Sequence, residues 1–253
     1  MNNRPTAFIL MLSFFLFSCG SNTSTSTDNQ TDETAVEETT TSPGHNMLTD
    51  DEKAAGWQLL FDGSSTDGWR TYGQPGVTGW TIEEGVLMTA GGNGDIMTEQ
   101  QFENYELSLE WKISEGGNSG IIYNVVEDTA KYSTTYATGP EYQLIDDEGY
   151  DAELTATQVS GSNYDMHPPS EKAAKGPGEF NTARIIVNQG KVEHWLNGVK
   201  VVSYELWTPE WKEMVQQSKW KDFPGYGIGQ KGHIALQDHG DEVAFRNIKI
   251  REL

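Results

Sequence analysis

YELSLEWKI, residues 105–113, alternates without a break. Tyr105, Leu107, Leu109, Trp111 and Ile113 fall on one parity, and Glu106, Ser108, Glu110 and Lys112 on the other. Successive side chains of a strand point to opposite faces, so this is an antiparallel strand with one face in a core and one face wet. The turn GGNSG (116–120) ends it, and an apolar strand follows over 121–126. Next comes GPEYQLID (139–146), a strand that puts Tyr142 and Leu144 into the core and Glu141 with Gln143 on the opposite face. A carboxylate beside an amide is poor core material and good site material.

The rest of the chain repeats this pattern. GWQLLF (56–61) reads as a strand, and residues 80–82 and 86–89 flank the hairpin turn Glu83-Glu84-Gly85. Residues 183–188 and 191–196 pair across Gln189-Gly190, and Asn197-Gly198 turns the chain into 199–204. Residues 232–239 and 242–253 complete the strands, with a bulge expected near Arg246-Asn247, where the apolar parity shifts between Phe245 and Ile248. One helix is predicted over 209–219, with Thr208 as cap and Pro209 in the first position, and one helical turn follows Thr49 or Asp50. With 27 glycines among 253 residues, this is an all-β sandwich. The irregular segment 146–182 is long enough to be a lid or a plain surface excursion.

The N-terminus predicts three parts: an export signal over 1–18, a tether over 19–50 and a folded domain over 51–253. Arg4 precedes an apolar run too short to span a bilayer, and LFSCG (16–20) resembles the lipobox of bacterial lipoproteins. Cleavage before Cys19, lipidation of its thiol and a place in the cell envelope on a membrane anchor are what that resemblance implies. Phe17 departs from the small residue usual there, and the alternative is an ordinary secretory signal. The tether is rich in Ser, Thr, Asp and Glu and has nothing to bury, so disorder is expected. Cys19 is the only cysteine, so neither an intramolecular disulfide nor a Cys-based metal site can form. A net charge of −21 with no basic cluster excludes nucleic acid as a partner.

GHIALQDHG (232–240) repeats the logic of GPEYQLID: Ile234 and Leu236 point one way, and His233, Ala235, Gln237 and His239 the other. If the two polar faces coincide, Glu141, Gln143, Gln237 and His239 share one groove. Carboxylate and imidazole are the common proton-transfer groups near neutral pH, and amides orient a hydroxylated ligand. Asn118 could add a further amide. The acidic run from Asp146 to Glu153 leaves a divalent cation open, as oxygen ligands suit calcium, though it lacks the alternation of an EF-hand loop. No other cofactor is expected. His167 and His194 read as structural or surface residues. Trp195 is either a sugar-stacking platform on an outer sheet face or a core residue. No nucleophile elbow, P-loop or His-Glu-x-x-His motif is present.

GWQLLFDG (56–63), DGW (67–69), WTIEEGVL (80–87), NSGI (118–121), EYQLID (141–146), HWLNG (194–198), GHIALQDH (232–239) and FRNI (245–248) together resemble the bacterial 3-keto-disaccharide hydrolase domain, over about residues 52–253. The resemblance implies a concanavalin A-like jelly roll of two curved antiparallel sheets, with the ligand groove on the concave one. It also implies cleavage of 3-keto-glycosides and an upstream sugar 3-dehydrogenase as pathway partner. By position it gives acid or base roles to Glu141 and His239. Asn118, Gln143 and Gln237 would hold sugar hydroxyls or an enolate oxygen, and Asp146 would orient a partner or help bind a metal. The Glu-x-Asp-x-x-Glu pattern of sandwich-fold glucanases is absent. A non-catalytic carbohydrate-binding module and a conventional glycoside hydrolase are the competing readings.

Overall fold

A computed structural model describes residues 44–253. The export signal, Cys19 and the tether as far as residue 43 lie outside the described residues. The strands are β1 Gln58–Leu59, β2 Trp69–Thr71, β3 Thr81–Glu83, β4 Val86–Thr89, β5 Ile96–Thr98, β6 Tyr105–Ile113, β7 Asn118–Val125, β8 Glu141–Ile145, β9 Asn181–Asn188, β10 Lys191–Leu196, β11 Val199–Glu205, β12 His233–Leu236 and β13 Val243–Glu252. They build two antiparallel sheets. One runs β11-β10-β9-β6-β13-β4-β3, with β1 also paired to β13, and the other runs β2-β5-β12-β7-β8. The all-β sandwich expected from the alternation is what forms.

The 105–113 stretch is the middle of the larger sheet, paired with β9 on one side and β13 on the other. Its apolar parity enters the core, as Leu107, Leu109 and Trp111 are buried, and it meets Ile121, Tyr123, Tyr142, Leu144, Ile234 and Leu236 from the smaller sheet. The turn at Asn197-Gly198 has both residues at positive φ, 50° and 85°. That backbone matches the twist of a two-residue hairpin, and only Gly and Asn enter it without strain. The expected bulge in β13 is present: register shifts between Arg246 and Lys249, and Asn247 has φ 54°.

Three boundaries moved. The predicted strand 56–61 shrinks to β1, after which the Leu60 N–H still donates to the Ile248 carbonyl. Strands β2 and β5 were missed; β5 is three residues long and buried on both faces, so it shows no alternation. The packed fold also begins earlier than residue 51. Asn46 is buried and exchanges hydrogen bonds with Asn247, and it donates to the Gly85 carbonyl. Behind it, α1 (Asp50–Ala54) carries the expected Thr49 cap, completed by Glu52 as a capping box. Helix α2 (Pro209–Gln217) starts on Thr208 and Pro209 as predicted but stops two residues early. Ser218 ends it and caps a 3₁₀ turn, Lys219–Asp222, that carries Trp220. Among the described residues no helix is long and apolar enough to cross a membrane.

Candidate active site

The outward face of the smaller sheet holds the site. Gly120 lies directly opposite Gln143 and Ile122 opposite Glu141, so β7 and β8 present Asn118, Gly120, Ile122, Glu141 and Gln143 on one side. Beyond the end of β12, the Gln237 N–H donates to the Gly120 carbonyl, which continues the ladder and sets Gln237 beside them. Glu141, Gln143, Asn118, Gln237 and His239 all line one cavity of about 270 Å³. The two polar pairs read from separate strands therefore do share one space.

A roof closes over this face. The long segment after β8 folds back along that strand: Tyr164 N–H donates to the Glu141 carbonyl, and Gly161 and Ser162 exchange backbone bonds with Gln143. Edge pairing of this kind turns an irregular segment into a fixed wall. It places Tyr164 over Glu141, and Tyr136, Lys219, Trp220 and Phe223 complete the cover. Lys219 ties the two halves of the roof, with its ammonium 2.5 Å from an Asp165 carboxylate oxygen and 4.1 Å from the centre of the Tyr164 ring. The face expected to be open is thus enclosed, and Glu141 is only 4 % exposed.

Enclosure decides the chemistry of Glu141. No hydrogen bond from the described residues reaches its carboxyl, and burial pushes it up to about 8. The Asp95 carboxylate adds to the rise, and the Lys219 ammonium opposes it. Ionising a buried, unpaired carboxyl forfeits its hydration, so near neutral pH this one keeps its proton. Its position depends on a missing side chain: a Cβ on Gly120 would stand 2.2 Å from Glu141 Oε1. Beside it, Gln143 Nε2 donates to Asn118 Oδ1 at 2.9 Å, fixing both amides.

His239 sits exposed at the rim, and its neighbour anchors it. The Asp238 carboxylate accepts N–H bonds from Gly92, Asn93 and Gly240 at 2.7–3.1 Å and a longer one from the Thr89 hydroxyl. The Asp238 N–H donates to Asp95 Oδ1 at 3.0 Å. Burial raises the Asp95 carboxyl above its usual range, although the Thr135 hydroxyl and that N–H oppose the rise. Neither Asp95 nor the aromatic roof carries a signal in the sequence, because both arrive from distant segments.

Other expected site residues lie elsewhere. Trp195 is on β10, in the opposite sheet; His194 and Leu196 take the core parity, which turns Trp195 outward as one reading had it, but on the wrong sheet for this cavity. Its indole N–H donates to Glu193, and the Arg184 guanidinium covers its ring at 4.4 Å. Asp146 is also absent from the cavity. Burial would raise its carboxyl, but N–H bonds from Gly116, Gly149 and Glu148 outweigh this and hold it low. It serves as a turn-former. Among the described residues no three His, Cys, Asp or Glu side chains gather to hold a metal ion. His233 belongs to the buried foot of β12, where it contacts Gln101 and the Thr98 carbonyl. His194 is a core residue between Tyr123 and the Gly161 carbonyl, lowered by burial to about 3. His167 stacks on Tyr204.

Comparison with known proteins agrees with this architecture. The sequence profile of the 3-keto-alpha-glucoside-1,2-lyase-like domain matches residues 56–251. A 3-keto-disaccharide hydrolase of Bacteroides thetaiotaomicron is 38 % identical over 230 residues, covering 79 % of each chain. A crystal structure of a Parabacteroides distasonis protein, provisionally assigned as a glycosyl hydrolase, superposes with a TM-score of 0.80 at 41 % identity, over 83 % of this chain and all of that one. A second such protein from the same organism gives 0.62 at 29 % identity, over 78 % and 99 %.

Proposed function

The chain belongs to the 3-keto-alpha-glucoside-1,2-lyase-like family, and on that premise we propose that it cleaves the glycosidic bond of 3-keto-glycosides by elimination followed by addition of water. The observation that carries this reading is Glu141: a buried carboxyl to which none of the described residues hydrogen-bonds, held protonated in a pocket whose rim bears His239. A ketone at C3 acidifies the proton at C2. His239 takes that proton, and the electron pair moves onto the C3 oxygen as an enolate. Lys219, the one lysine or arginine among the lining residues, with the Asn118, Gln143 and Gln237 amides, stabilises that oxygen. The pair then returns to form the C1–C2 double bond and breaks the bond from C1 to the leaving oxygen, which takes its proton from Glu141. Water adds to C1 of the enone, C2 regains a proton, and the net result is hydrolysis.

The proposal needs no pair of carboxylates flanking the scissile bond, which an ordinary glycosidase requires. The ketone must come from an enzyme that oxidises sugars at C3. With a lipid on Cys19, the domain would do this work in the cell envelope. The test is incubation with a 3-keto-glycoside and with its unoxidised parent. Release of the leaving group from the keto sugar alone is expected. Equal turnover of the parent would establish a conventional glycosidase, and binding without turnover a carbohydrate-binding module.

A further inference from the structure

One carboxylate outside the mechanism touches both walls of the site. Asp95 stands immediately before β5, whose Ile96 pairs with Leu236 at the end of β12, so the chain leaving β12 runs beside it. Its Oδ1 accepts the Asp238 N–H at 3.0 Å, and its Oδ2 accepts the Thr135 hydroxyl. The residue after each donor lines the Glu141 cavity: His239 on one side, Tyr136 on the other. We propose that Asp95 is a positioning residue for the reaction, a clamp that holds the His239 base and the Tyr136 edge of the aromatic roof in register around Glu141 and sets its own negative charge near that carboxyl. The inference rests on the 3-keto-glycoside reading.

Each end of the clamp carries a working side chain. Thr135 is fully buried and begins the 3₁₀ turn Thr135–Ala137, to which Thr134 gives no side-chain cap. The bond to Asp95 therefore anchors this turn from its side. Tyr136, the next residue, packs against Phe223 at 6.2 Å and Trp220 at 6.5 Å, both part of the roof. At the other end, the Gln237 N–H is held by Gly120 and the Asp238 N–H by Asp95, which fixes the main chain up to His239. Asp95 is itself anchored, because its carbonyl accepts the Tyr72 N–H. A misplacement of about 1 Å in a reacting group can cost on the order of 10²-fold in rate. The Asp238 carboxylate still bonds to Gly92, Asn93 and Gly240, so loss of Asp95 would shift this corner rather than unfold it.

The charge of the clamp acts on Glu141 through space. A second anion nearby disfavours ionisation, and Asp95 adds to the rise that burial imposes on the Glu141 carboxyl. Of the other groups facing Glu141, the Lys219 ammonium opposes the rise and the Asp165 carboxylate adds to it, while Tyr164 and His239 share the cavity. Removing the charge at Asp95 but keeping its shape should move the titration of Glu141 to lower pH.

The experiment measures kcat and KM on a 3-keto-glycoside as a function of pH for the wild-type chain, Asp95→Asn and Asp95→Ala. Asn keeps an acceptor for the Asp238 N–H and a group that can bond Thr135, but no charge. Burial opposes that charge, so the Asn variant should fold. Asp95→Ala is expected to lower kcat by about tenfold with KM within about threefold, because a base out of register slows chemistry more than binding. Asp95→Asn is expected to recover kcat to within about threefold of wild type below the alkaline limb of the profile, with that limb moved to lower pH. The limb in Asp95→Asn is decisive even where Asp95→Ala does not fold, because a merely structural role would not move it. Wild-type kcat in Asp95→Ala, an Asn variant no better than the Ala variant, or an unmoved limb in Asp95→Asn overturns the inference and leaves the 3-keto-glycoside reading standing. Absence of cleavage by the wild-type chain overturns that reading and this one with it.

Discussion

Two glutamates lie almost equally deep in this sandwich, on opposite sheets. Glu106, on β6 of the larger sheet, is 6 % exposed, and Glu141, on β8 of the smaller one, is 4 % exposed. Glu106 has two guanidinium partners: Arg184 at 2.7 Å and Arg251 at 2.6 Å. Among the described residues nothing hydrogen-bonds to the Glu141 carboxyl, and the Lys219 ammonium that acts on it is already engaged by Asp165. Burying a charge costs free energy unless it is paired: the first glutamate has its counter-charges in contact, and the second, without them, is more stable as an acid. One carboxylate holds a sheet together. The other stays neutral in its pocket near neutral pH.

Removing Glu141 should give the largest effect. Glu141→Gln keeps the shape and the neutral state but cannot donate a proton to the leaving oxygen. It should lower kcat/KM on a 3-keto-glycoside by about 10²–10⁴-fold, the range of general acid catalysis, with the circular dichroism spectrum unchanged. Wild-type activity with Gln in place would show that this carboxyl is not the acid.

The same contrast appears in the pH profile. Activity that needs protonated Glu141 should fall above about pH 8. Stability moves the same way. The folded value lies above the ordinary 4.5, so the unfolded chain releases this proton first as pH rises. This contribution is intact below pH 4.5 and is lost as pH climbs to about 8, on the order of a few kcal/mol in total. Chemical denaturation across that window should show the loss in the wild type and its absence in Glu141→Gln.

How much of this was legible in the sequence follows from where the information lies. The alternation at 105–113 and the i, i+2 pairs at 141/143 and 237/239 are local, and each fell on the face that parity assigned. The enclosure of Glu141 was not legible. It depends on Tyr164, Lys219 and Trp220, brought in by an edge pairing and a 3₁₀ turn that no periodicity announces. Parity names a face but not a sheet: of the two readings open for Trp195 the outward one is what forms, but on the sheet opposite the cavity. Asp146 shared a motif with Glu141, but three local N–H groups claim its carboxylate.

Glu106→Gln inverts the first substitution. It leaves two arginines facing a neutral amide, and should destabilise the fold by roughly 2 kcal/mol. That is less than for a fully buried pair, because Arg184 and Arg251 are 36 % and 33 % exposed and water screens them. The activity of the folded fraction should not change. Gly120→Ala tests the geometry rather than the charge. Its Cβ would collide with Glu141 Oε1, and the flexible carboxyl end has to move. A displaced acid should lower kcat/KM on the order of tenfold, with little change in melting temperature.

The smallest effect belongs to the residue that looked most like a sugar platform. Trp195 is packed under the Arg184 guanidinium and bonded to Glu193, on the sheet that carries paired charges. Trp195→Ala should cost about 0.5–1 kcal/mol of stability, the worth of an exposed cation–π contact, and leave kcat/KM within about twofold. Trp220 is the proper control, because it forms the roof over Glu141 and stacks on Tyr226 at 4.2 Å. Its replacement should raise KM for the keto sugar even where the protein stays folded. If Trp195→Ala impaired catalysis instead, the substrate would have to reach the larger sheet, and the division between a structural sheet and a working sheet would be wrong.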